Sequence, residues 1–294
     1  MLLVTFPVTT NQLDEFVRVN LIHNIDILRK QFVDIYFLLC LQGNILDKKT
    51  QLNFSKLIES INQNSDVDFL HVDWMSVSRA RNEGINYAKE KGFSHLLFLD
   101  RHCVVCDLNS SLANPVRLSS SVSYKLNFEF AQNCDSIGKL TLSKKIFEKI
   151  IKIFSQFSQT APMSRPYLGG YLFCVDKIIH NFDTKIGPAT PENRICAAED
   201  SLFIAEYLKE ENISRFKKIE NRIIHLNRID NSKVEHYAYA QGYAIRRLIM
   251  NCPLCIGLYI YTLFFLVKGF MYIPRDFTSG VFICKERIRG LLNL

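Results

Sequence analysis

The fold is decided by residues 77–106, VSRARNEGINYAKEKGFSHLLFLDRHCVVC. Apolar and small residues at helical spacing predict a helix over Val77–Lys91, and Gly92 follows at the position where helices commonly end. The run His95–Leu99, HLLFL, predicts a buried strand that ends at Asp100. A helix that leads directly into a buried strand is half of the alternation that builds a parallel sheet.

The residues before this stretch repeat the alternation. Short apolar runs predict three further strands, and apolar residues at helical spacing predict two helices between them: Leu2–Val8, Asp34–Cys40 and Phe69–Val72 as strands, Gln12–Arg29 and Phe54–Ile61 as helices. Strands without interior charge that alternate with helices indicate an α/β fold, with a mostly parallel sheet and helices on both faces. Ligands bind such sheets beyond the carboxyl ends of the strands, where Asp100 lies.

The residues after this stretch alternate less regularly. The pattern predicts strands at Tyr171–Val175 and Arg222–Leu226, a helix that Glu199-Asp200 opens and that runs through Leu208, and a helix over Leu142–Phe157. Segments rich in Ser, Asn and Pro predict loops at Asn109–Ser123 and Pro188–Arg194.

Composition narrows the functional classes. The chain has 294 residues, 48% of them hydrophobic, which excludes a disordered or fibrous protein. The net charge of +7 comes without a dense Lys/Arg block, so no nucleic-acid partner is expected.

Nine cysteines and an N-terminus without signal-peptide features predict free thiols in a reducing cytoplasm. Two pairs of cysteines, Cys103/Cys106 and Cys252/Cys255, have the C-x-x-C spacing of zinc and redox sites. The pairs lie far apart in the sequence and the second falls in an apolar run, so neither kind of site is expected.

The C-terminal part contains an uncharged stretch, Leu248–Val267, between Arg246-Arg247 and Lys268. Its basic flanks and tyrosines predict a helical membrane-associating segment over residues 246–294. We therefore expect a cytoplasmic protein, peripheral on the inner face of the cell membrane. A single span near 248–267 and a buried helix remain alternatives, because twenty residues are the minimum for a span.

The A-R-N-x-G-x-x-x-A helix, the apolar strand and Asp100 together resemble the nucleotide-sugar half of GT-A glycosyltransferases, most closely those of family 2. The resemblance implies a Rossmann-like GT-A domain over residues 1–245, with a nucleotide-sugar half at 1–106 and an acceptor half at 107–245. Family 2 strands end in a metal-binding Asp-x-Asp, whereas this chain has Asp100-Arg101-His102.

That departure is similar to the L-D-x-H-C of polypeptide N-acetylgalactosaminyltransferases, whose third metal ligand is a distant histidine in R-V-x-H-x-x-R. Residues 222–228, RIIHLNR, fit that form. The resemblance therefore implies that Asp100, His102 and His225 bind Mn²⁺ or another divalent cation. A carboxylate and two imidazoles suit such an ion.

The segment Gly169–Leu208 resembles the acceptor half of the same fold. Gly169 and Gly170 would lie at the acceptor, Asp200 would be the catalytic base of an inverting reaction, and Glu199 would help to hold the acceptor. The galactosaminyl family usually has Glu-Asn in place of Glu199-Asp200, so a retaining reaction stays open as the alternative.

The resemblance also implies the remaining contacts and the reaction. The nucleotide sugar would be bound by Thr5, Pro7, Asp73, Arg79, Arg81 and Asp100. A UDP-sugar donor and a glycan or lipid-linked acceptor would make the chain a hexosyl- or N-acetylhexosaminyltransferase of surface polysaccharide biosynthesis, such as capsule or lipopolysaccharide. A catalytically inactive GT-A domain that serves as a membrane-bound scaffold is the second alternative.

Overall fold

The computed structural model describes residues 1–43, 48–61, 66–73, 76–106, 115–130, 149–150, 153–154, 156–164, 167–188, 195, 197–226, 231–270 and 277–293. The chain divides into two compact units. Unit 1 comprises Met1–Ala131, Tyr167–Asn181 and Arg215–Asn227, and unit 2 comprises Gln132–Pro166, Phe182–Ser214 and Arg228–Leu294. Most of the predicted helix over 142–157 and of the predicted loop over 188–194 lies outside the described residues.

Unit 1 contains one sheet. Its described strands are β1 Leu2–Thr9, β2 Ile35–Gln42, β3 Val67–Val72, β4 His95–Phe98, β5 Cys103–Val105, β6 Tyr124–Phe130, β7 Tyr171–Cys174 and β8 Lys217–His225, in the order β3-β2-β1-β4-β7-β6-β8-β5. The first four strands pair in parallel, as do β6 and β8. Strand β7 is antiparallel to β4 and β6, and β5 is antiparallel to β8.

Helices cover both faces of this sheet, as the sequence predicts. Helices α1 Glu15–Gln31 and α2 Lys48–Ile61 share a core with alternate residues of β1, beginning at Leu2 and Val4. Helix α3 Val77–Glu90 lies on the opposite face, against Thr5. A Cβ at Gly84 would lie 2.8 Å from the Thr5 Cγ2 atom, so glycine is what allows α3 to approach β1 this closely.

Two strands were absent from the sequence prediction. Strand β5 has three residues, too few for a periodicity to be visible. Strand β6, YKLNFEF, alternates buried Tyr124 and Leu126 with the more exposed Lys125 and Asn127, and this period of two was an available signal.

Unit 2 is helical in its described part. Its helices are α4 Ala161–Ser164, α5 Glu199–Glu210, α6 Asn231–Asn251, α7 Ile256–Phe270 and α8 Phe277–Leu292. Helices α6 and α8 cross closely, because a Cβ at Gly242 would lie 2.2 Å from the Arg287 carbonyl oxygen and one at Gly290 2.1 Å from that of Tyr239. The predicted domain boundary between residues 245 and 246 falls within α6.

The uncharged stretch 248–267 is divided between α6 and α7, which residues 252–255 separate. Among the described residues, no helix combines the length and the apolarity that crossing a membrane requires.

The buried His95 predicts a pH-dependent stability. Its Nε2 bonds the Val122 carbonyl oxygen at 2.8 Å, and burial lowers the pKa of the ring below its ordinary value. In the unfolded chain a histidine has a pKa near ~6.5, so below that pH the unfolded state binds the proton more readily. We expect the free energy of unfolding to fall from pH 7.5 to pH 5.5, by up to about 1.4 kcal/mol per pH unit from this residue.

Urea unfolding of the parent and of His95→Gln at both pH values measures this effect. The variant should lose less stability than the parent on acidification. Equal losses in the two proteins would assign the pH dependence to other groups.

Candidate active site

Asp100 lies directly after β4, at the carboxyl end of the parallel strands. The Arg81 guanidinium on α3 is buried, with 3% of its side chain exposed, and its Nη2 donates to Asp100 Oδ1 at 3.1 Å. A buried cation is stable only with such a partner. The ion pair therefore orients a carboxylate that is itself 42% exposed at the sheet edge.

His102 and His225 are brought together by the pairing of β5 with β8. Cys103 lies opposite His225 in this register, and the Leu226 amide donates to the His102 carbonyl oxygen at 2.8 Å. The centroids of the two imidazole rings are 6.1 Å apart. The topology thus places two histidines that are distant in the sequence side by side, and one of them, His102, follows Asp100 by two residues.

The structure also shows a competing contact. Arg101 Nε donates to His102 Nε2 at 2.9 Å, so this nitrogen is an acceptor in the observed arrangement. In the described part of the chain, no group of three or more His, Cys, Asp and Glu side chains is arranged to hold a metal ion. The metal set Asp100, His102 and His225 therefore stays a prediction.

Side-chain amides of α1 hold the segment that carries His102. Asn20 Nδ2 donates to the carbonyl oxygens of Arg101 and Cys103 at 2.8 and 2.9 Å. Asn24 donates to Cys103 O at 2.7 Å and accepts from the Val105 amide at 2.8 Å. These buried amides form hydrogen bonds with the backbone groups along one edge of the short strand β5, while β8 pairs with the backbone groups along the other edge. They fix the backbone beside His102.

Sequence reasoning missed this contact network. Asn20 and Asn24 are four residues apart, next to Leu21 and Ile25, on the buried face of α1. A polar residue repeated at helical spacing within an apolar face was the available signal, since a buried amide requires a partner.

The predicted donor-binding residues lie on different elements and differ in how far they are exposed. Thr5 and Pro7 lie in β1, and Thr5 is buried against α3. Asp73 follows β3 directly and is exposed, and Arg79 is exposed in the first turn of α3. Because β3 and β4 are parallel members of one sheet, Asp73 and Asp100 lie at the same edge. Which of these residues contact a nucleotide stays a prediction.

Gln42 ends β2 at the same edge and was not predicted as a site residue. It is fully buried, and its Oε1 accepts from the Ser76 amide at 2.8 Å. Ser76 caps α3, with its side chain accepting from the Arg79 amide. Gln42 therefore fixes the start of the helix that carries Arg81.

The predicted acceptor residues Gly169 and Gly170 precede β7 and are buried beside Phe128 of β6. A Cβ at Gly169 would lie 2.9 Å from the Phe128 ring. Tyr167 stacks on the same ring with centroids 5.1 Å apart, and the ring lies 6.2 Å from that of His225. The two glycines thus leave room for an aromatic stack next to the histidine pair.

Glu199 and Asp200 form the first turn of α5 in unit 2, where the helix dipole favours carboxylates. Glu199 is buried and Asp200 is half-buried. Ala198 precedes them with φ +83°, a left-handed conformation that costs a non-glycine residue about 1–3 kcal/mol and is common at functional sites.

The fold is similar to that of solved glycosyltransferases. A mannosyltransferase from Pyrobaculum calidifontis, PcManGT, solved with GDP-Man and Mn²⁺, has a TM-score of 0.56 and 11% identity, over 99% of this chain and 87% of that one. This likeness confirms the GT-A fold.

Two further structures have lower scores. S. aureus TarS has a TM-score of 0.46 and 12% identity over 83% of this chain, and GalNAc-T7 with UDP, GalNAc and Mn²⁺ has 0.45 and 13% over 84%. The chain spans 39% of the TarS structure and 50% of the GalNAc-T7 structure. No protein-family model and no curated protein matches the chain.

Proposed function

We propose that the chain is a metal-dependent glycosyltransferase that moves a sugar from a nucleoside-diphosphate donor to a glycan or lipid-linked acceptor. UDP is the nucleotide that we propose for the donor. The observation that carries this proposal is the neighbouring imidazole pair of His102 and His225, with His102 two residues after Asp100 at the carboxyl edge of a GT-A sheet. Ligand sites of open α/β sheets occupy this edge.

The residues present fit a divalent cation in chemistry, because a carboxylate and two imidazoles are ligands that such ions accept. Two imidazoles that each place a nitrogen ~2.1 Å from one ion have ring centroids about 6.5 Å apart when they lie on opposite sides of the ion, and closer together otherwise. At the observed 6.1 Å, the rings of His102 and His225 would have to lie nearly opposite each other or move closer. Asp100 would supply an oxygen, and Arg101 would have to withdraw from His102 Nε2. A bound Mn²⁺ would neutralise charge on the leaving diphosphate.

The chain's own groups would do the remaining work. Arg81 orients the Asp100 carboxylate through their ion pair. Asp73 and Arg79 would contact the donor, with Thr5 and Pro7 shaping the strand beneath it. The face of the Phe128–Tyr167 stack suits a sugar or base, since aromatic faces bind flat apolar surfaces.

Asp200 would take the proton from the acceptor hydroxyl as general base, and Glu199 would help to hold the acceptor. A base on the acceptor side gives in-line displacement at the anomeric carbon and inverts its configuration.

We further propose a cytoplasmic location at the inner face of the cell membrane and a role in surface polysaccharide assembly, as a hexosyl- or N-acetylhexosaminyltransferase.

A panel of nucleotide sugars with Mn²⁺ tests this function. We expect one sugar nucleotide, a UDP-sugar, to be consumed with release of free nucleoside diphosphate, and EDTA to stop the release because the cation is removed. Added Mn²⁺ in excess of EDTA should restore it. Binding of a UDP-sugar without consumption under every condition would favour the inactive scaffold instead.

A further inference from the structure

Exposed apolar side chains are concentrated in the last three helices. Of twenty large hydrophobic residues exposed in the described part of the chain, thirteen lie between Met250 and Leu292. Scattered exposed apolar residues are ordinary, but a contiguous group marks an interaction surface.

Helix α7 is apolar on two opposite faces. One face, which includes Leu258, Tyr261 and Phe265, is buried in the core of unit 2, where the Tyr261 hydroxyl donates to the Met163 carbonyl oxygen at 2.9 Å. The other face is exposed and follows a spacing of three or four residues: Ile256, Ile260, Leu263, Val267 and Phe270. Because one side of α7 is packed against protein, the helix is anchored with its second apolar side outward.

Helix α8 carries a second exposed apolar row and is tied to α7. Arg287 points inward, where its Nη1 donates to the Phe265 carbonyl oxygen at 2.8 Å and its guanidinium lies 4.1 Å from the Phe265 ring centroid. The exposed row comprises Phe277, Val281, Ile288 and Leu292, and Lys285 is exposed next to it.

The net charge of residues 246–294 indicates which kind of partner the exposed apolar rows bind. Residues 246–294 contain seven Lys and Arg against two Asp and Glu, and six basic residues remain when Arg287, which points inward, is left out. Arg247, before the exposed loop residue Leu254, is exposed as well. A second copy of the chain would bring the same basic region against itself, whereas an anionic lipid surface is complementary to it.

We infer that the exposed rows of α7 and α8 form a monotopic membrane-binding face for an anionic bilayer. The apolar side chains enter the boundary between headgroups and acyl chains, with the helices in the plane of the surface, and the basic side chains contact lipid phosphates. This binding is independent of the reaction proposed above, although it would hold the enzyme where a lipid-linked acceptor lies.

Cosedimentation with vesicles tests the inference on the full chain. The parent should bind vesicles of phosphatidylcholine with 30% phosphatidylglycerol, bind pure phosphatidylcholine more weakly, and lose affinity as salt is added. Leu263→Glu should weaken binding roughly tenfold or more, since it places a charge in the apolar row. Leu263 is 65% exposed, so the substitution leaves the core intact.

Leu52→Glu is the matched control, because Leu52 is 54% exposed on α2, a helix of unit 1. It should bind vesicles like the parent. Equal binding by Leu263→Glu and the parent would overturn the inference. So would a parent that ignores vesicles but forms a dimer that Leu263→Glu dissociates, which would make the face a protein interface. Asp200→Asn should bind vesicles normally, so loss of turnover and loss of lipid binding are separate results.

Discussion

Replacing Asp200 by Asn should lower turnover by about 10²–10⁴-fold while leaving the affinity for the nucleotide sugar nearly unchanged. The amide keeps the shape of the carboxylate in the first turn of α5 but cannot accept a proton. Steady-state rates at saturating donor, together with donor binding by calorimetry, measure the two quantities separately.

Glu210→Gln is the matched control, an exposed carboxylate at the other end of the same helix, and it should turn over normally. If Asp200→Asn also turned over normally, Asp200 would not be the base and the retaining alternative would gain. The anomeric configuration of the product, read by NMR, then decides between inversion and retention.

Alanine at Asp100, His102 or His225 should weaken Mn²⁺-dependent UDP binding by more than about 100-fold. Removal of groups that merely orient metal ligands already costs about 10–100-fold, and direct ligands should cost more. His102→Asp should instead shift the preference toward Mg²⁺, whose ligands are oxygens. Titration calorimetry of UDP with each cation and electron paramagnetic resonance of free Mn²⁺ measure these effects.

His180→Ala provides the control, since His180 is an exposed histidine of unit 1 outside the predicted set. It should bind Mn²⁺ and UDP like the parent. The same result for His225→Ala would remove that residue from the metal site.

The parallel half of the sheet could be predicted because its strands are buried on both faces. Such strands appear as uncharged runs, and β1, β2 and β4 are of this kind. The end of α3 could also be predicted from the sequence. Gly92 follows the helix C-cap with φ +70°, a conformation that glycine adopts at little cost. Local sequence therefore decided these elements.

The proximity of His102 and His225 was expected from the resemblance to a known motif, and in the structure their ring centroids lie 6.1 Å apart. No local pattern contains this information, because it depends on the pairing of β5 with β8. The amides of Asn20 and Asn24 were missed for the same reason, since their partners lie about eighty residues away in the sequence.

The exposed face of α7 could not be distinguished from a buried one in the sequence. Periodicity identifies a buried face only when the opposite face is polar, and α7 has large apolar residues on two opposite faces. Its environment becomes visible only once Leu258 and Phe265 are seen to fill the core and Leu263 is seen to face outward.

The close crossing of α6 and α8 has a consequence for synthesis of the chain. Gly242 and Gly290 approach the backbone of the opposite helix, yet nearly fifty residues separate them. A ribosome adds residues more slowly than helices form, so α6 emerges seconds before the helix that covers its glycine face exists. During that interval the nascent unit 2 exposes a surface shaped to receive a helix, and we expect chaperones to bind it until α8 has left the exit tunnel.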